Sequence, residues 1–535
     1  MSNEHKPYAG MNDPDLQHIE SRATTNRDTE PELEKKFSVW SLGSLCLCLM
    51  ATWEALSTVV AQALVSGGAP CLFYNYLISF FGSMAIVTSL AEMASMYPSA
   101  AGQYHWVARI SPAKGRRISS WFTAWISIGG QIVLTASAAF AGGLQLQALI
   151  TLNNVDTYIP QRWQGMLFYD LVLVYALAIN IFGIRILSLT NEACGLLHII
   201  GFVVVFAVLA AMAPKRDADF VFVETSNLTG WPNDGIAWLI GLLSTTYAFL
   251  GYDSAAHLSE ELPRPERYVP LAMVGSVVLN GLIGFAYCLM LLFSLGDLDT
   301  VLASPFGFPY IQVFFDATRS RAGATVLSLI PSLIAVAANA AGLTSTSRTA
   351  WALARDNATP KAAYLAQIDT KFHVPVRMIV VVTVLQFLLG FIYLGNTTAF
   401  NAILTMAIIG MYVSYTLPIV YMLFFGRKPG AHEPGPFRLG RAGPAINIVA
   451  LIWLVVAIFF RYAKPGTSGR DAANQTYSTW PNFYPVTPVN MNYSTVVLAG
   501  WVLFGASYYL ISGRHKYAGP VLELDGVRRS ETGKA

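Results

Sequence analysis

Leu49-Met50-Ala51-Thr52-Trp53-Glu54-Ala55-Leu56-Ser57-Thr58 sits in the first long apolar run of the chain, 39–65, and sets an acidic side chain 15 residues into it. A carboxylate at the middle of a bilayer costs about 2.5–3.5 kcal/mol on insertion scales, so it faces a cavity or a partner. A later run, 236–259, reads Thr246-Tyr247-Ala248-Phe249-Leu250-Gly251-Tyr252-Asp253-Ser254-Ala255-Ala256-His257, with a helix-weakening glycine and an acid 17 residues in. The two runs are the first and sixth in order, and an offset of five makes them cross in opposite directions. Weak points at matching depth in oppositely directed halves mark an inverted-repeat transporter. Unwound backbone at the midplane is tolerated only where it lines a cavity, and there its carbonyls and amides replace a solute's lost hydration. The alternative reading of the same residues is that Gly251 serves helix packing and both acids are structural.

Composition agrees. Of 535 residues, 54% are apolar, 13% aromatic and only 12% charged, and the mean hydropathy is +0.48. These values exclude a soluble globular enzyme and a disordered chain and point to a polytopic helical membrane protein. A net charge of +3 without a long basic block gives no sign of nucleic acid as a partner. The cysteines Cys46, Cys48, Cys71, Cys194 and Cys288 lie in or beside apolar runs without metal-ligand spacing. They read as buried apolar side chains, with no disulfide framework, metal or cofactor implied.

A span needs about 20 apolar residues. Twelve segments qualify: 39–65, 71–97, 119–149, 165–187, 192–213, 236–259, 269–295, 324–354, 375–395, 399–425, 444–463 and 496–512. The expected fold is an all-α membrane protein of twelve transmembrane helices. Its parts are a polar N-terminal tail at 1–38, a transport core over spans one to ten at 39–425, spans eleven and twelve with their loop at 426–512, and a C-terminal tail at 513–535. The tail before the first span is polar and carries no cleavable signal peptide, so that span does the targeting. With both tails cytosolic, inner loops and adjoining span ends hold 16 Lys and Arg against 8 outside, as the positive-inside rule requires. The sequons at Asn227, Asn396, Asn474 and Asn492 fall in outer loops and are the expected glycosylation sites, whereas Asn357-Ala-Thr falls inside.

A set of motifs carries a family resemblance over about residues 40–425. They are Thr52-Trp-Glu-Ala55, Ser66-Gly-Gly-Ala-Pro70, Ser89-Leu-Ala-Glu-Met-Ala-Ser-Met-Tyr-Pro98, Gly102-Gln-Tyr-His-Trp106, Tyr247-Ala-Phe-Leu-Gly-Tyr-Asp-Ser-Ala-Ala-His-Leu-Ser-Glu-Glu261, Thr344-Ser-Thr-Ser-Arg-Thr-Ala-Trp-Ala-Leu-Ala-Arg-Asp356 and Val374-Pro-Val-Arg377. Together they resemble the fungal amino acid/choline (GABA/choline permease-like) family of the amino acid–polyamine–organocation superfamily. The resemblance implies a five-plus-five inverted repeat of leucine-transporter type with two extra helices. It also implies secondary active, generally proton-coupled transport of amino acids, GABA, choline, polyamines or related amines. The plasma membrane is the family's usual address, and vacuolar members exist. In the superfamily the first span usually breaks at a small Gly-Ser-Gly-like stretch. Counting from Gly67-Gly68 sets Trp53-Glu54-Ala55 there instead, which speaks for a cationic or aromatic-caged solute.

Glu54 is the candidate anchor for a solute ammonium, since a buried carboxylate attracts a cation strongly, and a buried carboxyl is also able to carry the coupled proton. Asp253 matches the acidic position after the sixth-span glycine, where the resemblance implies a part in gating or coupling. Trp53, Ala55, Tyr247, Phe249, Gly251 and Tyr252 are candidate walls of the site, with Trp125 and Gln131 of the third span as further candidates. His198 lies where the resemblance implies that proton-coupled bacterial relatives carry a lysine in place of a sodium ion. A histidine side chain titrates near neutral pH and is therefore a candidate proton carrier, with Asn339 and Ser345 near the same position. Glu92, Glu260, Glu261, Arg348 and Arg355 fall at the cytosolic rim, where ion pairs would latch an inner gate. The resulting expectation is a proton-coupled importer of a small amine, working by alternating access. Its partners are that solute, protons and the lipid bilayer. The sequence leaves the oligomeric state undefined. No nucleotide fingerprint or nucleophile–base constellation supports an ATP-driven pump or an enzyme. The rivals are a facilitator or exporter of an amine-containing secondary metabolite, and a nutrient sensor that binds without transport.

Overall fold

The computed structural model describes residues 38–229, 231–395, 397–428, 430, 432–459 and 494–520. Asn396, Asn474, Asn492 and the tail segments 1–37 and 521–535 lie outside the described residues. Among the described residues every regular element is a helix. Eleven helical stretches are long and apolar enough to cross a membrane. The first of them, Val39–Met96, contains two crossings. Its backbone leaves helical geometry at Gly67 (φ −170°, ψ 16°) and Gly68 (φ 72°, ψ −160°), where Gly68 adopts a conformation that residues with a Cβ rarely enter. Twelve crossings result. From the third to the ninth they are Arg116–Asn153, Arg162–Phe182, Ile184–Met212, Asp234–Glu261, Pro265–Phe293, Arg321–Arg355 and Val376–Gly395. The tenth runs over Thr397–Tyr421, the eleventh begins at Gly443 and the twelfth at Ser494. All but the fifth begin within a few residues of the expected run; the fifth begins at Ile184, eight residues before the expected 192, because the fourth already ends at Phe182. Short helices at Gln103–Ile110, Ala218–Phe222, Leu298–Leu302, Pro309–Thr318 and Ala362–Leu365 sit in the connections.

Burial sorts the spans into an inner and an outer group. The most apolar windows of spans three, six and eight are 72%, 71% and 67% buried, against 28% for span five, 33% for span nine and 11% for span twelve. The outer spans show large apolar side chains such as Ile200, Val203, Leu388 and Leu503 on the surface, as expected where lipid rather than water is the solvent. The third span packs along spans eight and ten, and Thr52–Met96 packs along spans six and seven. Spans three, six and eight therefore form the buried centre of the bundle, with the first span packed among them.

Both expected breaks exist. The first span is helical over Val39–Met50, reverses to left-handed geometry at Ala51 (φ 40°, ψ 52°) and resumes at Thr52. The sixth is helical over Asp234–Tyr247, unwinds over 248–251 and continues as a 3₁₀ helix, Tyr252–Glu261. Ten residues is long for a 3₁₀ run, which seldom passes three or four and in mid-helix marks a hinge or strain. One expectation needs correcting. Trp53-Glu54-Ala55 is not the unwound segment. The interruption falls at Ala51, and these three residues form the first turn of the helix that follows. Ala51 carries no local sequence signal, because an alanine in left-handed geometry is held there by its surroundings at a cost of about 1–2 kcal/mol.

Gly251 has φ 100°, and a Cβ there would meet Leu49 Cγ at 3.1 Å. Gly251→Ala is expected to destabilise the protein by about 1–2 kcal/mol. Gly275, helical with nothing within 4 Å of an added Cβ, is expected to accept alanine with no loss. Thermal unfolding of the detergent-purified variants checks the pair, and equal behaviour would mean the sixth-span break does not need this glycine.

Candidate functional site

The two breaks are tied to each other. Thr52 Oγ1 donates to the carbonyl of Ala248, freed by the sixth-span unwinding, at 2.8 Å. The backbone N–H of Thr52, an orphan donor at the start of its helix, donates to Asn280 Oδ1 of span seven at 3.1 Å. Backbone groups that the breaks release at the membrane centre are thus accepted by neighbouring spans, as a lipid environment demands.

Beside this junction lies a cavity lined by Leu49, Met50, Glu54, Gln145, Tyr247 and Leu250, with Ala55, Thr58 and small residues of spans three and eight completing the wall. It offers about 50 Å³ to the centres of water-sized molecules, room for a few waters. Glu54 is 2% exposed and His198 fully buried, and His198 Nδ1 lies 2.8 Å from Glu54 Oε1. Glu54 Oε2 and His198 Nε2 have no partner. Glu54 also stands in the first turn of its helix, where the macrodipole favours negative charge. His198 pairs with Glu54, and Asn339 donates to the Thr135 carbonyl at 2.9 Å.

Glu54, Ala55 and Tyr247 line this cavity, whereas Gly251 and Asp253 line a smaller neighbour that shares Leu49 and Leu134 as walls and also includes Gln131 and Ser345. Trp53, Phe249 and Tyr252 line neither. Trp53 packs on Tyr287 with ring centroids 5.1 Å apart and donates its indole N–H to the His198 carbonyl at 3.3 Å, which steadies the histidine rather than caging a solute. Phe249 packs on Tyr76 and Phe80, and Tyr252 on Tyr415. Trp125 packs tilted against Trp501 and edge-on against Phe504 of span twelve.

Asp253 organises the next layer. Its Oδ2 accepts from Gln103 Nε2 at 2.6 Å and faces His257 Nε2 at 3.3 Å, and its Oδ1 accepts from Tyr415 at 2.8 Å. His257 Nδ1 lies 3.0 Å from the Ala100 carbonyl, and its Nε2 lies 2.9 Å from Gln131 Nε2. Beyond it come two ion pairs, Arg348 with Glu261 at 2.7 Å and Arg355 bidentate to Glu260 at 2.8 and 3.1 Å, while Glu92 pairs with Arg427. These layers join span six to spans three, eight and ten and to the segment 99–104. Tyr415 and Gln145 escaped the sequence reading, and Gln103 entered it only within the motif Gly102-Gln-Tyr-His-Trp106. The only signal of Tyr415 and Gln145 was polarity inside an apolar run. Among the described residues no group of three or more His, Cys, Asp or Glu is placed to hold a metal ion, and the five cysteines are free. Asn227 sits in the loop between spans five and six with its side-chain nitrogen donating to the Trp231 carbonyl and to Asp234.

The profile of the amino acid permease family matches residues 37–504. The chain is 29% identical to a choline transporter of Saccharomyces cerevisiae, over 94% of this chain and 86% of that protein. It is 29% identical to an amino-acid permease of Oryza sativa subsp. japonica, over 92% and 94%, and 28% identical to a swainsonine transporter of Arthroderma benhamiae, over 90% and 92%. Twelve helical crossings with paired breaks around an internal cavity are the build of a multi-pass membrane transporter, and this chain belongs to the amino acid permease family.

The Arg348–Glu261 pair is buried on both sides. Removing one partner leaves an uncompensated charge, so Arg348→Met is expected to cost about 3–5 kcal/mol, whereas the double variant Arg348→Met, Glu261→Leu regains most of it. Chemical unfolding in detergent measures both, and additive losses would show that the pair is not a unit.

Proposed function

We propose that the protein is a secondary active transporter that carries a small amine across its membrane by alternating access, coupled to protons. The observation that carries this reading is the Glu54 carboxylate, with one oxygen on His198 and the other unpartnered at the wall of the cavity beside both helix breaks. The free oxygen is a site for an ammonium group, and in a poorly screened interior such a charge pair is far stronger than in water. His198 gives the pair a second cation. In the import cycle the pair takes up a proton on the outer side together with the solute and releases both to the cytosol. Protonation and solute affinity are thereby linked through one carboxylate. Asp253 and the layers beyond it close the side that the Lys and Arg bias assigns to the cytosol, and breaking those contacts would open the inner gate. Choline and amino acids, named by the relatives, both carry the cationic nitrogen that the anchor requires. The plasma membrane is the proposed address.

Uptake of labelled choline and single amino acids by a permease-deficient yeast, with and without a protonophore, tests the activity. Accumulation that the protonophore abolishes is expected, and binding without accumulation would make the protein a sensor instead. Glu54→Gln keeps the side chain's volume and its contact with His198. It is expected to lower uptake at least about 100-fold, the loss of a close buried charge contact, with surface expression intact, and unchanged uptake would remove Glu54 from the site. His198→Ala is expected to flatten the dependence of uptake on external pH, and a retained acid-stimulated rate would reject its proton role.

A further inference from the structure

Four polar side chains line the cavity: Glu54, Thr58, Gln145 and Tyr247. The Thr58 hydroxyl donates to the Ala55 carbonyl at 2.7 Å, and the Tyr247 hydroxyl pairs with Ser137 at 3.0 Å. Two lining atoms remain without a partner, Glu54 Oε2 and Gln145 Nε2. Gln145 is fully buried in span three, and its N–H₂ group is a donor available to whatever occupies the cavity.

Tyr310, buried in the loop helix Pro309–Thr318, donates its hydroxyl proton to Gln145 Oε1 at 2.9 Å and also bonds with Ser332. Ser332 donates to the Ser328 carbonyl at 2.8 Å and stands 3.4 Å from the same Oε1. Oε1 is therefore held by this group, and the N–H₂ group is the end of the amide without a protein partner. The rest of the lining is largely hydrocarbon, with Leu134, Ala138, Ala141, Ala335 and Ala338 among its residues.

We propose that Gln145 is a specificity-determining residue that donates to an oxygen of the solute while Glu54 holds its cationic nitrogen. The site therefore selects a short solute with a positive nitrogen at one end and a hydroxyl or carboxylate at the other, an amino alcohol or an amino acid. It rejects a diamine of the same length, whose second ammonium would meet the Gln145 N–H₂ group donor to donor. This inference rests on the reading of Glu54 as the cation anchor and adds the second end of the solute to it.

Matched pairs test it on the wild-type protein in nanodiscs, by competition against labelled solute and by ligand-induced thermal shift. Choline is compared with propyltrimethylammonium, in which a methyl replaces the hydroxyl, and 4-aminobutyrate with butylamine and with 1,4-diaminobutane. The oxygen-bearing member of at least one set is expected to bind about tenfold or more tightly than its partners, the equivalent of one net hydrogen bond to a charged or buried group. Gln145→Met is expected to collapse that ratio toward one. Equal affinity within both sets, or preference for the diamine, overturns the role of Gln145 while leaving Glu54 as the anchor, provided Glu54→Gln weakens every cation alike. A protein that binds none of these cations, with Glu54→Gln indistinguishable from wild type, overturns both readings. The matched-pair comparison needs no variant, so a misfolded Gln145→Met leaves the test intact.

Discussion

A backbone N–H or C=O without a partner costs several kcal/mol in hydrocarbon, and this chain breaks two helices in the middle of the membrane. The hydrogen bond from Thr52 to the Ala248 carbonyl is the contact that makes this affordable. It joins the restart of the first span to the unwound point of the sixth, and Asn280 adds the seventh span to the same junction. Neither break can shift without releasing the other. The position of the cavity follows, because it is the space these interrupted ends leave between themselves and the small residues of spans three and eight.

The junction also fixes the electrostatics. A helix that restarts at mid-membrane presents its positive end there. In a site built for the carboxylate of a solute, that end would be left open. Here the first turn carries its own carboxylate, Glu54, which sets a negative charge against that positive end. Asp253 repeats the device on the sixth span, in the first turn after Gly251, but its oxygens are spent on Gln103, His257 and Tyr415. The two acids therefore divide the work: one keeps an oxygen free beside the cavity and the other knits the layer beneath it.

Much of this was legible in the chain. Most span positions, the pairing of spans one and six, and the burial of Glu54 and Asp253 follow from apolar run length and from the cost of an acid in lipid, both of which are local and large. What escaped is geometry that only packing supplies. Ala51, rather than a glycine, bears the left-handed turn, so no residue type announced it. Trp53 reads like the wall of an aromatic cage, yet its ring turns to Tyr287 and away from the cavity, since a helix offers one face to the site and positions 53 and 54 lie about 100° apart. His198 was recognised as titratable, but a spacing of 144 residues gives no hint that it touches Glu54. Gln145 carried the faintest signal of all, a polar side chain in an apolar helix, because most such glutamines satisfy themselves on neighbouring helices.

The central claim is that Glu54 offers its free oxygen to the transported cation. Carbodiimide labelling of Glu54 in native membranes, quantified on the peptide by mass spectrometry, measures this most directly. The account predicts that a saturating concentration of a transported amine protects Glu54 from modification and that an uncharged analogue of the same size does not. Equal labelling of Glu54 with and without the transported amine would contradict it.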